Sequence, residues 1–147
     1  MNKVKQQGEK LGADSPTRPY ERLKAWAACH DLALALYKIT EPWPHFERAC
    51  LSSECRDAAL AAVSLIVRGS YAPSDKEFRR FLNGAIGKLA RLGALTLLAK
   101  DLGFLTEQQS RELEILRDHA SRLTEGLYRA IGRGSKKKAV RSGRTKR

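Results

Sequence analysis

The last third of the chain constrains the fold most, because Leu113, Leu116, Ala120, Leu123, Leu127 and Ile131 step by three, four, three, four and four residues. That spacing puts all six on one stripe of an α-helix, which must be covered by other helices. Three earlier segments answer it. Leu23, Trp26, Ala27, His30, Ala33, Leu34 and Tyr37 recur at helical steps from Tyr20 onward. Pro42 and Pro44 cannot continue that helix, so Thr40 to about Leu51 reads as a loop. Ser52 or Ser53 is the expected cap of a second helix running to Arg68, with Cys55, Ala58, Ala59, Ala62, Val63 and Ile66 facing inward. Gly69 and Ser70 end it.

A third helix starts at Ser74, with Glu77 at the three-residue offset of a capping box, and runs to about Leu102. Its inward face is Phe78, Phe81, Leu82, Ala85, Leu89, Leu92 and Thr96, and Gly84, Gly87 and Gly93 read as points where another backbone comes close, or as a bend. Gly103 supplies a C-cap, and Thr106 with Gln109 supplies the next box. No strand pattern competes. The expected fold is all-α: an antiparallel up-and-down four-helix bundle over residues 20–131, after a flexible, disordered leader over 1–19 and before a disordered basic tail over 132–147. Leu32 and Leu36 of the first helix, and Leu95, Leu98 and Leu102 of the third, lie off these stripes, so a homo-oligomer interface would use them; scattered surface leucines are the alternative.

Charge divides the chain unevenly. Of the formal net charge of +12, the tail carries eight cations and no acid: Arg133, Lys136, Lys137, Lys138, Arg141, Arg144, Lys146 and Arg147. Between Tyr20 and Ile131 sixteen basic residues face fourteen acidic ones, so the body is nearly neutral. A block of like charge with too few apolar residues to form a core is a solvated arm for a polyanion, with nucleic acid the default partner and a solubility tail the alternative. Lys76, Arg79, Arg80 and Arg91 form a second basic stripe on the third helix. Such a stripe alone reads first as a salt-bridged face, and the neighbouring tail moves the balance toward phosphate contacts.

The three cysteines, Cys29, Cys50 and Cys55, with no signal sequence ahead of them, read as free thiols in a reducing cytoplasm. No apolar run approaches the roughly 20 residues needed to span a bilayer, so no membrane partner is expected. Catalytic patterns are missing too. None of His30, His45 and His119 has Glu three residues earlier, as a bundle-bound metal pair requires. His45, Cys50 and Cys55 are metal-ligand types without a fourth partner, and read as a residual zinc possibility against plain thiols. Arg22 with His30, and Arg111 with His119, miss the shorter spacing of bundle-type nucleases, and there is no glycine-rich phosphate loop. The chain reads as a non-enzyme without cofactor or metal.

The run Tyr20-Glu21-Arg22-Leu23-Lys24-Ala25-Trp26, then His30-Asp31-Leu32-Ala33-Leu34 and Tyr37-Lys38-Ile39-Thr40, resembles the first helix of the four-helix-bundle proteins encoded in ribosomal-RNA intervening sequences. Glu77-Phe78-Arg79-Arg80-Phe81-Leu82, Ala85-Ile86-Gly87-Lys88-Leu89 and Leu98-Ala99-Lys100-Asp101-Leu102-Gly103-Phe104-Leu105 resemble that family's third helix and following turn. The second helix departs from the pattern: where the family has an Asn-Ile-Ala-Glu-Gly ending, this chain has Ser64-Leu65-Ile66-Val67-Arg68-Gly69 and keeps only the glycine. The resemblance implies a homo-oligomer, commonly a pentameric ring, with a role in binding RNA or other nucleic acid and no catalytic residues. A related branch comprises accessory subunits of diversity-generating retroelements, which bind a reverse transcriptase. The leading expectation is therefore a non-enzymatic, oligomeric nucleic-acid-binding protein with RNA ahead of DNA, and the alternative is a protein-interaction subunit of a reverse transcriptase or another enzyme.

Overall fold

The computed structural model describes residues 17–48 and 50–144. After a single 3-10 turn at Pro19–Arg22, the elements are α1 (Lys24–Thr40), the one-turn α2 (His45–Arg48), α3 (Leu51–Ser70), α4 (Asp75–Asp101) and α5 (Glu107–Arg144). The four long helices are those read from the sequence. They pack as a ring in the order α1, α3, α4, α5, each against its two neighbours, and the short α3–α4 and α4–α5 connections make consecutive helices antiparallel. The expected leader lies almost wholly outside the described residues.

Local chemistry sets the helix ends. Ser74 Oγ accepts from the Glu77 backbone N–H at 3.2 Å and caps α4. At α5 the box is reciprocal: Thr106 Oγ1 accepts from Gln109 N, and Gln109 Oε1 accepts from Thr106 N, both at 3.1 Å. Gly103 adopts φ +84, which lets Phe104 N reach Ala99 O at 2.9 Å and closes the end of α4 in a Schellman motif. The second helix starts differently from expectation. Its N-cap is Cys50, without a side-chain cap bond, and Ser52 is fully buried inside the first turn with its Oγ unpartnered. The helix thus starts two or three residues earlier than Ser52 or Ser53 would set it, with Leu51, 8% exposed, packed into the core.

The core is Leu32, Leu36, Ile66, Leu82, Leu89, Leu92 and Leu113, interleaved with an alanine-rich lining. Each fully buried leucine contributes about 1.5–3 kcal/mol. On α3 the inward face is as read from the sequence. On α1 it is not: the buried residues are Ala25, Ala28, Cys29, Leu32, Ala33, Leu36 and Thr40, whereas Ala27, His30, Leu34 and Tyr37 face out. Both series have helical spacing. The small residues win because they let α1 approach the alanines of α3, while Trp26 and His30 stack on each other outside, with ring centroids 5.0 Å apart. Leu32 and Leu36 are 1% and 0% exposed and belong to the chain's own core, so they are not available as an oligomer interface.

The glycines of α4 are corrected as well. An added Cβ at Gly84 would meet the Leu65 side chain at 3.3 Å, one at Gly93 would meet the Arg117 guanidinium at 2.9 Å, and one at Gly87 would meet nothing. Side chains, not a neighbouring backbone, use the room. Gly69, the residue that fits the family pattern at the end of α3, has a direct reason: a Cβ there would sit 2.8 Å from the Phe78 ring. Among the described helices α4 is long and apolar enough, by length and composition, to cross a membrane. Here its Leu82, Ala85, Leu89 and Leu92 are buried in the core, and the helix packs against α3 and α5.

The largest difference is at the C-terminus. The apolar seam of α5 stops at Ile131, but the helix continues to Arg144 through most of the segment expected to be a disordered tail. Extending an existing helix avoids the cost of nucleation, and Lys, Arg and Ala are all good helix formers. Residues 145–147, including Lys146 and Arg147, lie outside the described residues.

Candidate nucleic-acid interface

In the antiparallel ring the start of α4 and the end of α5 share one end of the bundle, and that end gathers the cations. Arg79 of α4 is committed to holding the two helices together. Its Nε donates to the Tyr128 carbonyl at 3.3 Å, and its guanidinium lies over the Tyr128 ring at 4.0 Å. The same guanidinium fills the space beside Gly132, where an added Cβ would meet it at 2.9–3.1 Å. Arg79 is therefore a positioning residue and not a free phosphate ligand.

Lys76 and Arg80 remain exposed on either side of it. With Ser74, Glu77, Asn83 and Tyr128 they line an open groove of about 660 Å³ between α4 and α5. Arg80 also borders a smaller hollow with Leu65, Arg68 and Phe81, in which the Arg68 guanidinium lies 4.8 Å from the Phe81 ring centre. Arg91 does not join this group. Contrary to its expected role as a phosphate contact, it is ion-paired with Glu54 of α3. From α5, Arg133 and Lys136 are exposed and follow Gly132 by one and four residues. The backbone carrying Lys137, Lys138, Arg141 and Arg144 continues the same helix.

Sequence reading missed Tyr128 and Gly132, because their partner Arg79 lies 49 residues from Tyr128 and leaves no local signal. It also missed Arg56. That side chain donates from Nε to Thr40 Oγ1 at 2.9 Å, lies over the Tyr37 ring at 4.4 Å and pairs with Glu41 at 3.6 Å. A cation thereby closes the C-terminus of α1, where the helix dipole favours it.

The apolar surface is distributed differently from the expected interface. Leu95 is half-buried against the core, while Leu98 and Leu102 are 48% and 57% exposed, beside Leu97 at 58%. On the α1–α3 side, Leu34, Tyr37 and Leu60 are also exposed. Cys29 and Cys55 are buried and burial pushes both thiols up to about 11, whereas Cys50 is exposed. Among the described residues no three His, Cys, Asp or Glu side chains gather as a metal-binding group.

Four long helices in a closed up-and-down ring, with a basic helical extension at one end, define a four-helix-bundle protein with a cationic arm. The model of the 23S rRNA-intervening sequence protein family matches residues 21–126, which spans most of the bundle and stops before the arm. The chain belongs to that family. Comparison with curated proteins finds no match.

Proposed function

We propose that this protein is a non-enzymatic, cytoplasmic nucleic-acid-binding protein that works as a homo-oligomer and takes RNA ahead of DNA. The observation that carries this reading is the junction of α4 and α5. Arg79, held by Tyr128 and Gly132, fixes the root of the basic arm next to the exposed Lys76 and Arg80, so the two basic segments form one surface. Lys and Arg in such a surface bind phosphates by displacing condensed counterions, which gives affinity with little regard to sequence. The family's name refers to 23S rRNA, which is consistent with RNA as the polyanion. The exposed Leu97, Leu98 and Leu102 on α4, and Leu34 and Leu60 across the bundle, supply apolar surface for contacts between copies.

The test is purification of the tagged chain from its own cells at low salt, followed by sequencing of whatever nucleic acid accompanies it. Enrichment of RNA over a control in which Lys76, Arg80, Arg133 and Lys136 are changed to Gln supports the reading. Equal recovery with both proteins contradicts it.

A further inference from the structure

Because α5 remains helical past Ile131, its cations fall into a row that a disordered tail would not have. Arg122, Arg129, Arg133 and Lys136 are separated by seven, four and three residues, which returns each to the same face, and all four are exposed. From Arg122 to Lys136 the row spans about 21 Å of helix axis. Its first half lies on the folded bundle and its second half on the arm. None of the four makes an ion pair among the described residues, unlike Arg91 with Glu54 or Arg117 with Asp118. Two acids border the row: Glu125, exposed, three residues after Arg122 and four before Arg129, and Asp118, four residues before Arg122, which is paired with Arg117.

We infer that this row is a binding face for duplex nucleic acid, with Arg122 and Arg129 as contacts to the sugar-phosphate backbone. The inference rests on the nucleic-acid reading above and narrows it to one form of the polymer. Surfaces for single strands combine cations with aromatic rings on which unpaired bases stack. Tyr128, next to the row, already has its ring covered by Arg79 at 4.0 Å. The aromatic cluster of Tyr20, Trp26 and Tyr71 shares this end of the bundle but belongs to the initial 3-10 turn, α1 and the end of α3, and none of its rings comes from α4 or α5. The row therefore offers a straight line of charge and no stacking platform. A duplex keeps its bases stacked internally and presents a denser line of phosphates, so it gains most from such a face.

The experiment compares the full-length chain, R122Q/R129Q and R133Q/K136Q by fluorescence anisotropy on an RNA duplex of about two turns and on an unstructured single strand of equal length. For R122Q/R129Q, duplex binding should weaken by roughly tenfold, with the logarithmic salt slope reduced by about 2, and single-strand binding should change less. E125Q, which removes one bordering negative charge, should bind the duplex more tightly. Circular dichroism should show unchanged bundle stability, since neither arginine has a partner among the described residues. If R122Q/R129Q binds duplex like the unmodified chain while R133Q/K136Q is weakened, the row does not extend onto the bundle, and the broader nucleic-acid reading survives. If the unmodified chain prefers the single strand, the duplex assignment is wrong. Binding to neither probe overturns both.

Discussion

Arg79 and Lys76 lie one turn apart on α4, yet only Lys76 is free to meet a phosphate. Arg79→Met should therefore lower stability by about 1 kcal/mol, through the lost cation–π contact and hydrogen bond, and leave RNA affinity within about twofold. Lys76 and Arg80 changed together to Gln should do the reverse. Chemical denaturation and binding on the same samples separate the two effects. The cysteines give a second residue-scale prediction. Cys29 and Cys55 are buried with their thiols pushed up to about 11, so at pH 8 a thiol reagent should modify the exposed Cys50 quickly and the other two only after unfolding. The same burial carries a pH dependence. The folded state disfavours the thiolate, so its contribution is fully present below the unfolded value of 9.0 and declines as pH rises toward 11. Denaturation midpoints measured across that range should fall, and changing both residues to Ala should flatten the decline.

At the scale of the helix, α5 is two structures in one. Up to Ile131 its apolar seam holds it in the bundle; beyond it, the arm from Gly132 to Arg144 extends about 20 Å, with the Arg79 contact at its root. Within the arm, cations recur at three- and four-residue spacing, and each such like-charged pair opposes the helix by about 0.2–0.5 kcal/mol. Gly134 and Gly143 oppose it by about 1 kcal/mol each. Neutralising the charges should therefore firm up the arm. Far-UV circular dichroism of the full chain should gain helical signal as salt rises from low to physiological strength, and a chain ending at Ile131 should show no gain. Equal behaviour of the two would mean that charge repulsion does not limit the helicity of the arm. The helix ends were legible in the sequence because capping is local: Ser74, Thr106, Gln109 and Gly103 act within four residues of their partners. The arm was not, because a polar sequence with no seam says nothing about whether an existing helix will run on through it.

Across the whole molecule, the seam of α5 and the alanine-rich face of α3 were enough to give a four-helix bundle. The face of α1 required the tertiary structure. Two helical series coexist on it, and the choice between them depends on how closely α3 can approach. That choice decides which leucines test assembly. Light scattering with size-exclusion chromatography should give several times 16.4 kDa for the intact chain, and a monomer mass would contradict the oligomer. Leu98→Glu with Leu102→Glu should reduce that mass without unfolding the bundle, whereas Leu36→Ala should cost about 2–5 kcal/mol of stability as an ordinary core deletion. The central claim is that the α4–α5 end is a polyanion surface whose affinity resides chiefly in the arm. The salt dependence of RNA-duplex binding, measured for the full chain and for a chain lacking residues 132–147, tests it most directly. The account predicts a logarithmic slope of about −5 to −7 for the full chain if most of its eight C-terminal cations engage, and a shallower slope and much weaker binding for the shortened chain at unchanged thermal stability. Equal affinity of the two chains at near-physiological salt would contradict it.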